Sequence, residues 1–211
     1  DGIQAGGKAN GLYRLLSLGF NVPPGFVLLD ADADHLPQDL ADHYAALGGG
    51  PVAVRSSALD EDGSDASFAG QYETLLDVEG IEALRAAIAQ CLASLSSQRA
   101  VAYRGHAGGS VRMCVIVQRM VRARAAGVLF TADPVSARRD LLVIDAVRGL
   151  GEALVSGAAT PDHYELDPAN NIVRCDLVDS TSRILADADI AALAQQARDA
   201  AQRFGEPLDT E

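Results

Sequence analysis

The chain has 211 residues, 48% of them hydrophobic and 22% charged, with a formal net charge of −12. That length and apolar share suit one domain or two closely joined lobes around a real core. The acidic balance excludes nonspecific binding to nucleic acid or to an anionic membrane, because both would repel it.

There is no tryptophan, so the core is expected from Leu, Val, Ile and Ala. Cys91, Cys114 and Cys175 are far apart and form no C-x-x-C, which argues against a disulfide framework or zinc site and for a reduced, cytoplasmic setting. No apolar run has the length of a membrane span, and no secretory signal is expected.

Gly6-Gly7-Lys8 opens a helical pattern carrying Leu12, Leu15 and Leu16, which Gly19 ends. Free N–H groups and the helix dipole at such a start attract phosphate, and Lys8 would add a full charge. The plainer alternative is a turn with an exposed lysine. This is not a Walker A loop. Pro23-Pro24-Gly25 leads into a strand, Phe26–Leu29. A helix with Leu36, Leu40, Tyr44 and Leu47 follows and breaks at Gly48-Gly49-Gly50.

Val52-Ala53-Val54-Arg55-Ser56-Ser57-Ala58 is a β run ending in an arginine and two hydroxyls. Arginine presents a planar, always-charged fork suited to phosphate oxygens. Alternatively Arg55 pairs with Asp60, Glu61 or Asp62 at the surface. The following loop, with Ser67 and Gly70, and Thr74 at the next strand's start could close over a phosphate chain, or could simply connect a hairpin.

Thr74–Val78 reads as a strand. Ile81, Leu84, Ile88, Cys91, Leu92 and Leu95 then recur at helical spacing, and a second helical segment runs through Tyr103. After a Gly-rich turn, His106–Ser110, the chain becomes strand-rich. Val111–Val121 is a long β run, with Ala126–Thr131 expected as its hairpin partner and Leu141–Val147 as a third strand. Gln118, Arg119, Met120 and Val121 end the long run. Apolar side chains and free backbone amides there could hold a purine, or this is an edge strand with a polar residue.

Gly149-Leu150-Gly151-Glu152 is a Gly-rich turn whose carboxylate could help to position metal or phosphate, or a tight turn before a short helix. Tyr164–Leu166 and Ile172–Arg174 flank the turn 168–171. The last helix carries Ile190, Leu193, Ala197, Ala200, Ala201 and Phe204 and stops at Gly205 and Pro207. If the tail is a strand, Asp209 and Glu211 face one side, as a Mg²⁺-binding pair should. Otherwise they are an acidic tail. His35, His43, His106 and His163 show no ligand spacing, and no G-x-S-x-G occurs. The mixture lacks strict βαβ alternation, so the expected class is α+β. Two lobes are expected, residues 1–110 and 111–211.

In order along the chain, Gly6–Asn10, Val22–Phe26, Val54–Ala58, Ala66–Thr74, Val117–Val121, Gly127–Val135, Gly149–Gly157 and Phe204–Glu211 resemble one family. It is that of the N-terminal ATP-binding domain of phosphoenolpyruvate synthase and pyruvate phosphate dikinase, rifamycin phosphotransferases included. Each motif is short, and their order over nearly the whole chain carries the likeness. The resemblance implies an ATP-grasp-like fold holding ATP in a cleft between two lobes. It implies that Lys8 and Arg55 contact phosphates, that Gly70 and Thr74 belong to a covering loop, that Gln118, Met120 and Val121 face adenine, and that Glu211, with Asp209, holds Mg²⁺. It also implies cleavage of ATP to AMP, with the β-phosphoryl passed by a histidine on a swivelling domain to an acceptor such as pyruvate or a rifamycin. The histidine and acceptor domains, and a strand expected after Glu211, fall outside these stretches, so full transfer is expected to need them. The alternative is a catalytically incomplete nucleotide-binding module with a regulatory or scaffolding role.

Overall fold

A computed structural model describes residues 6–33, 35–58, 74–102, 113–134 and 138–211. Ser67 and Gly70 lie outside the described residues. The chain mixes helices with two antiparallel sheets and divides into two compact units, Asp1–Val121 and Arg122–Glu211. Among the described residues, no helix is long and apolar enough to cross a membrane.

In the first unit α1 spans Gly6–Ser17, β1 Gly25–Leu28, α2 Leu40–Ala46, β2 Val52–Ala58, β3 Thr74–Val78, α3 Ile81–Ala102 and β4 Met113–Arg119. The two helical segments expected beyond residue 80 are one continuous helix, α3. The sheet order is β1-β4-β2-β3. Residues 114–118 are all buried, as a central strand covered on both faces should be. Val52 and Val54 of β2 and Val115 and Val117 of β4 form one core with Leu40 and Tyr44 of α2 and Leu84, Ile88 and Cys91 of α3. The other face takes α1, through Ala9 and Leu12 on Cys114 and Ile116. Between Val52 and Val54 the β2–β3 register shifts, and Asp77 on β3 turns left-handed (φ +53°), the mark of a bulge.

In the second unit β5 is Ala125–Phe130, β6 Leu142–Arg148, α4 Glu152–Val155, β7 Asp162–Leu166, β8 Ile172–Asp176, α5 Asp187–Phe204 and β9 Asp209–Thr210. The sheet order is β8-β7-β6-β5-β9. Helix α5 lays Ile190, Ala194 and Ala197 on Leu129, Leu142, Ile144, Tyr164 and Leu166. Gly205, left-handed at φ +78°, ends it and donates its N–H to the Ala201 carbonyl.

The expected hairpin between the Val111–Val121 run and Ala126–Thr131 does not form. Strand β4 pairs with β1 and β2, and β5 pairs with β6. Accordingly the two units divide after Val121, later in the chain than residue 110.

Candidate functional site

Helix α1 starts at a left-handed Gly6 (φ +79°), and its first turn meets the first sheet at buried Ala9. Lys8, beside that contact, is exposed. Residues paired across antiparallel strands share a face. Arg55 pairs with both Ile116 and Thr74, so Arg55 and Thr74 lie on the face that α1 covers in part. Gln118, two residues beyond Ile116, falls on the same face by alternation. Four elements thus bring Lys8, Arg55, Thr74 and Gln118 to one side of one sheet. Arg55 is half-buried and its Nε atom is enclosed. Ser57, on the same face and paired with Cys114, is fully buried. Burial pushes the Cys114 thiol up, with the Asp30 charge adding to the rise and a hydrogen bond with the Asp30 backbone opposing it. A thiol held protonated in this way is no nucleophile.

The end of β4 is anchored by three prolines. Gln118 Nε2 donates to the Pro23 carbonyl at 3.0 Å, the Arg119 N–H to the Pro24 carbonyl at 2.8 Å, and the Met120 N–H to the Pro51 carbonyl at 3.0 Å. Met120 is half-buried and Val121 exposed. The amides of Arg119 and Met120 are therefore engaged within the protein. A ligand edge read at this segment must use other backbone groups. Sequence reasoning did not foresee this clamp, although the Pro23-Pro24 pair was a visible signal of a rigid turn.

Asp209 and Glu211 belong to the second unit. Strand β9 pairs Asp209 with Phe130 and Thr210 with Leu129 at the end of β5. Buried Thr131 ties this tail down. Its N–H donates to the Leu208 carbonyl at 2.9 Å, and its hydroxyl receives the Leu208 N–H at 2.6 Å. Desolvation by its neighbours, and then the Glu211 charge, push the Asp209 carboxyl above its ordinary value, although the residue as a whole is exposed. Asp209 and Glu211 carry the hard oxygen donors that Mg²⁺ takes. Among the described residues, no group of three or more His, Cys, Asp or Glu could hold a metal ion, so substrate oxygens would have to complete such a shell.

The face that carries Asp209 is the one α5 leaves uncovered. Across it runs a cross-strand row of Asp209, Phe130, Val143, Glu165 and Arg174. His163 sits between Asp145 (2.7 Å from Nδ1) and Glu165 (3.4 Å from Nε2), and Arg174 bridges Glu165 and Asp176. The Gly149 turn leans on this unit through the Gly149 N–H and the Arg124 carbonyl, and Glu152 in α4 is exposed. One residue the sequence left unremarked organises the unit. Fully buried Asp162 accepts the Val178 N–H, the Ile184 N–H and the Tyr164 hydroxyl at 3.0, 2.8 and 3.1 Å. Burial, followed by the hydrogen bond to Asp162, pushes the Tyr164 phenol up to about 12.

Residues 32–180 match the family model described as the pyruvate phosphate dikinase AMP/ATP-binding domain. The chain is 39% identical over 203 residues to the prodigiosin synthesizing transferase PigC of Serratia marcescens, covering 81% of this chain and 23% of that protein. It is 41% identical over 183 residues to a rifampicin phosphotransferase of Streptomyces sviceus, covering 75% and 21%. It is 36% identical over 217 residues to a phosphoenolpyruvate synthase of Pseudomonas aeruginosa, covering 83% and 27%. The chain thus spans about a quarter of the length of these curated relatives. Among solved structures, the fold is similar to that of Ca. Korarchaeum cryptofilum ACD1 in complex with coenzyme A. The TM-score there is 0.50 at 11% identity, covering 95% of this chain and 82% of that one.

Proposed function

The chain belongs to the pyruvate phosphate dikinase AMP/ATP-binding domain family, and from that premise we propose that it is the ATP-binding part of a dikinase-type phosphotransferase. The observation that carries this reading is the gathering of Lys8, Arg55, Thr74 and Gln118 on one side of the first sheet. In this reading the fold acts as an ATP-grasp that binds ATP. Lys8 and Arg55 neutralise the phosphates, Thr74 adds its hydroxyl beside them, and Met120 and Val121 lie against adenine. Gln118 acts there through its anchor on Pro23. Asp209 and Glu211 would hold Mg²⁺, which would supply positive charge against the phosphates. The protein's own contribution is positioning and fixed positive charge, which phosphoryl transfer requires more than covalent chemistry.

Full turnover, with ATP cleaved to AMP and the β-phosphoryl passed through a histidine domain to an acceptor, would need domains beyond this chain, which spans about a quarter of the length of its curated relatives. An antibiotic or a small carboxylate such as pyruvate fits what those relatives are named for. The test is calorimetric titration of this chain with Mg-ATP, with Lys8→Ala and Arg55→Ala beside it. Each substitution is expected to weaken binding about tenfold or more, the scale of one lost charge-assisted contact. The thermal midpoint should hold for Lys8→Ala, since an exposed lysine adds little to the core, and Arg55→Ala, at a half-buried position in the middle of β2, should still fold with a modest loss. Affinity untouched by both would sink the reading, and an Arg55→Ala chain that unfolded would make that residue structural.

A further inference from the structure

The carbonyl that receives the Met120 N–H belongs to Pro51, which follows Gly48-Gly49-Gly50. Gly48 and Gly49 are both left-handed, at φ +99° and +65°. A triglycine is the most conformationally free stretch a chain can have, so it cannot by itself hold Pro51 in place. Tyr44 supplies what it lacks. The ring is buried in the first core, on α2. The hydroxyl lies 2.9 Å from the Gly49 carbonyl and 3.0 Å from the Gly50 carbonyl, sharing its proton between them, and accepts the Gly80 N–H at 2.8 Å. Gly80 immediately precedes α3, and its carbonyl receives the Leu84 N–H. One hydroxyl therefore ties the triglycine both to its own helix and to the start of the longest helix in the unit.

We propose that Tyr44 is a positioning residue for the nucleotide base, acting through Gly49, Gly50 and the Pro51 carbonyl on Met120 and Val121. The proposal rests on the reading above that this segment lies against adenine. Tyr44 touches no ligand. It fixes the strap on which the segment hangs. Lys8 and Arg55 have no part in that strap, so base binding and phosphate binding should separate.

The test compares Tyr44→Phe with the unsubstituted chain. Mg-ATP and Mg-tripolyphosphate, which has the phosphates and no base, are each titrated by calorimetry, and amide exchange is followed at residues 118–121. Leu84→Val, in the same core, serves as a control for lost stability. Tyr44→Phe should weaken ATP about three- to tenfold, the scale of one hydrogen bond, leave tripolyphosphate unchanged and speed exchange at the Met120 amide. Leu84→Val should weaken neither ligand. ATP affinity as in the unsubstituted chain, or equal loss for both ligands, would overturn the proposal. If the unsubstituted chain binds ATP no better than tripolyphosphate, the base-facing reading fails. Exchange at Met120 then decides the link from Tyr44 alone, and unchanged exchange overturns it.

Discussion

The two sheets are connected in opposite ways. The second is a meander in which β5, β6, β7 and β8 pair with their neighbours in sequence and only β9 returns from afar. The first places β4 between β1 and β2, with Gly25 opposite Gln118 and Val52 opposite Arg119. Local pairings form with little loss of chain entropy, whereas distant ones must close long loops first. The difference also sets how each unit holds its candidate residues. Each residue of the first unit's set comes from a different element, and one of them, Gln118, is fixed by a long-range side-chain bond to the Pro23 carbonyl. The second unit is organised by one buried carboxylate and a ladder of side-chain charges. The first sheet therefore depends on exact strand docking, and the second on a few polar nodes.

The sharpest way to break that contrast is Asp162→Ala. It leaves two N–H groups and a hydroxyl without their acceptor, at a cost of about 3 kcal/mol. Urea unfolding read by amide exchange should show the loss in β7 and α5 while β2 and β4 keep their protection. Loss shared equally by both units would erase the distinction. Next come the two glycines where strands approach most closely. A Cβ on Gly127 would lie 2.1 Å from the Asp145 carbonyl oxygen, and one on Gly25 would lie 2.6 Å from that of Val117. Gly127→Ala should cost about 2–3 kcal/mol and Gly25→Ala about 1–2, because β1 is an edge strand free to move outward. Thermal midpoints in the reverse order would mean that β5 yields more easily than β1.

The smallest effect is electrostatic. A carboxyl raised in the folded chain, as at Asp209, keeps its proton where the unfolded chain has lost it. That stability is fully present below the ordinary aspartate value of about 3.9 and is lost as pH rises through the raised value. If Asp209 and Glu211 hold Mg²⁺, the ion needs both of them ionised. Mg²⁺-dependent nucleotide binding should therefore weaken on acidification sooner than an ordinary carboxylate would allow, and Asp209→Asn should flatten that limb. Titrations between neutral and mildly acid pH check this, and an unchanged limb in Asp209→Asn would remove Asp209 from the metal site.

Much of this was legible in the sequence wherever the signal was local. Helix α5 follows from Ile190, Ala197 and Ala200 at helical spacing with Gly205 behind them, and the β7–β8 hairpin from its turn. The partner of β4 was not legible. An apolar run shows that a strand is buried on both faces but not which strands flank it, and residues 121–124 lack the glycine or asparagine of a tight hairpin. Arg55 and Gln118 stood out for their chemistry, yet the bond that fixes Gln118 reaches a carbonyl 95 residues away. Tyr44 read as a core aromatic. Its ring is one, and its hydroxyl has a second role that periodicity cannot reveal. The same holds for Asp162, whose partners lie in a loop that carries no pattern.

The tie between Thr131 and Leu208 has a thermodynamic consequence. A strand of two residues sits near the bottom of the local stability scale and opens far more often than the sheet it borders. Thr131 restrains that fraying with one N–H and one hydroxyl, so the acidic pair is partly ordered before any cation arrives. If Asp209 and Glu211 hold a dication, its binding would hold β9 closed, and by reciprocity a better-anchored β9 would bind the dication more tightly. Opening of β9 and cation occupancy would then be two readings of one equilibrium.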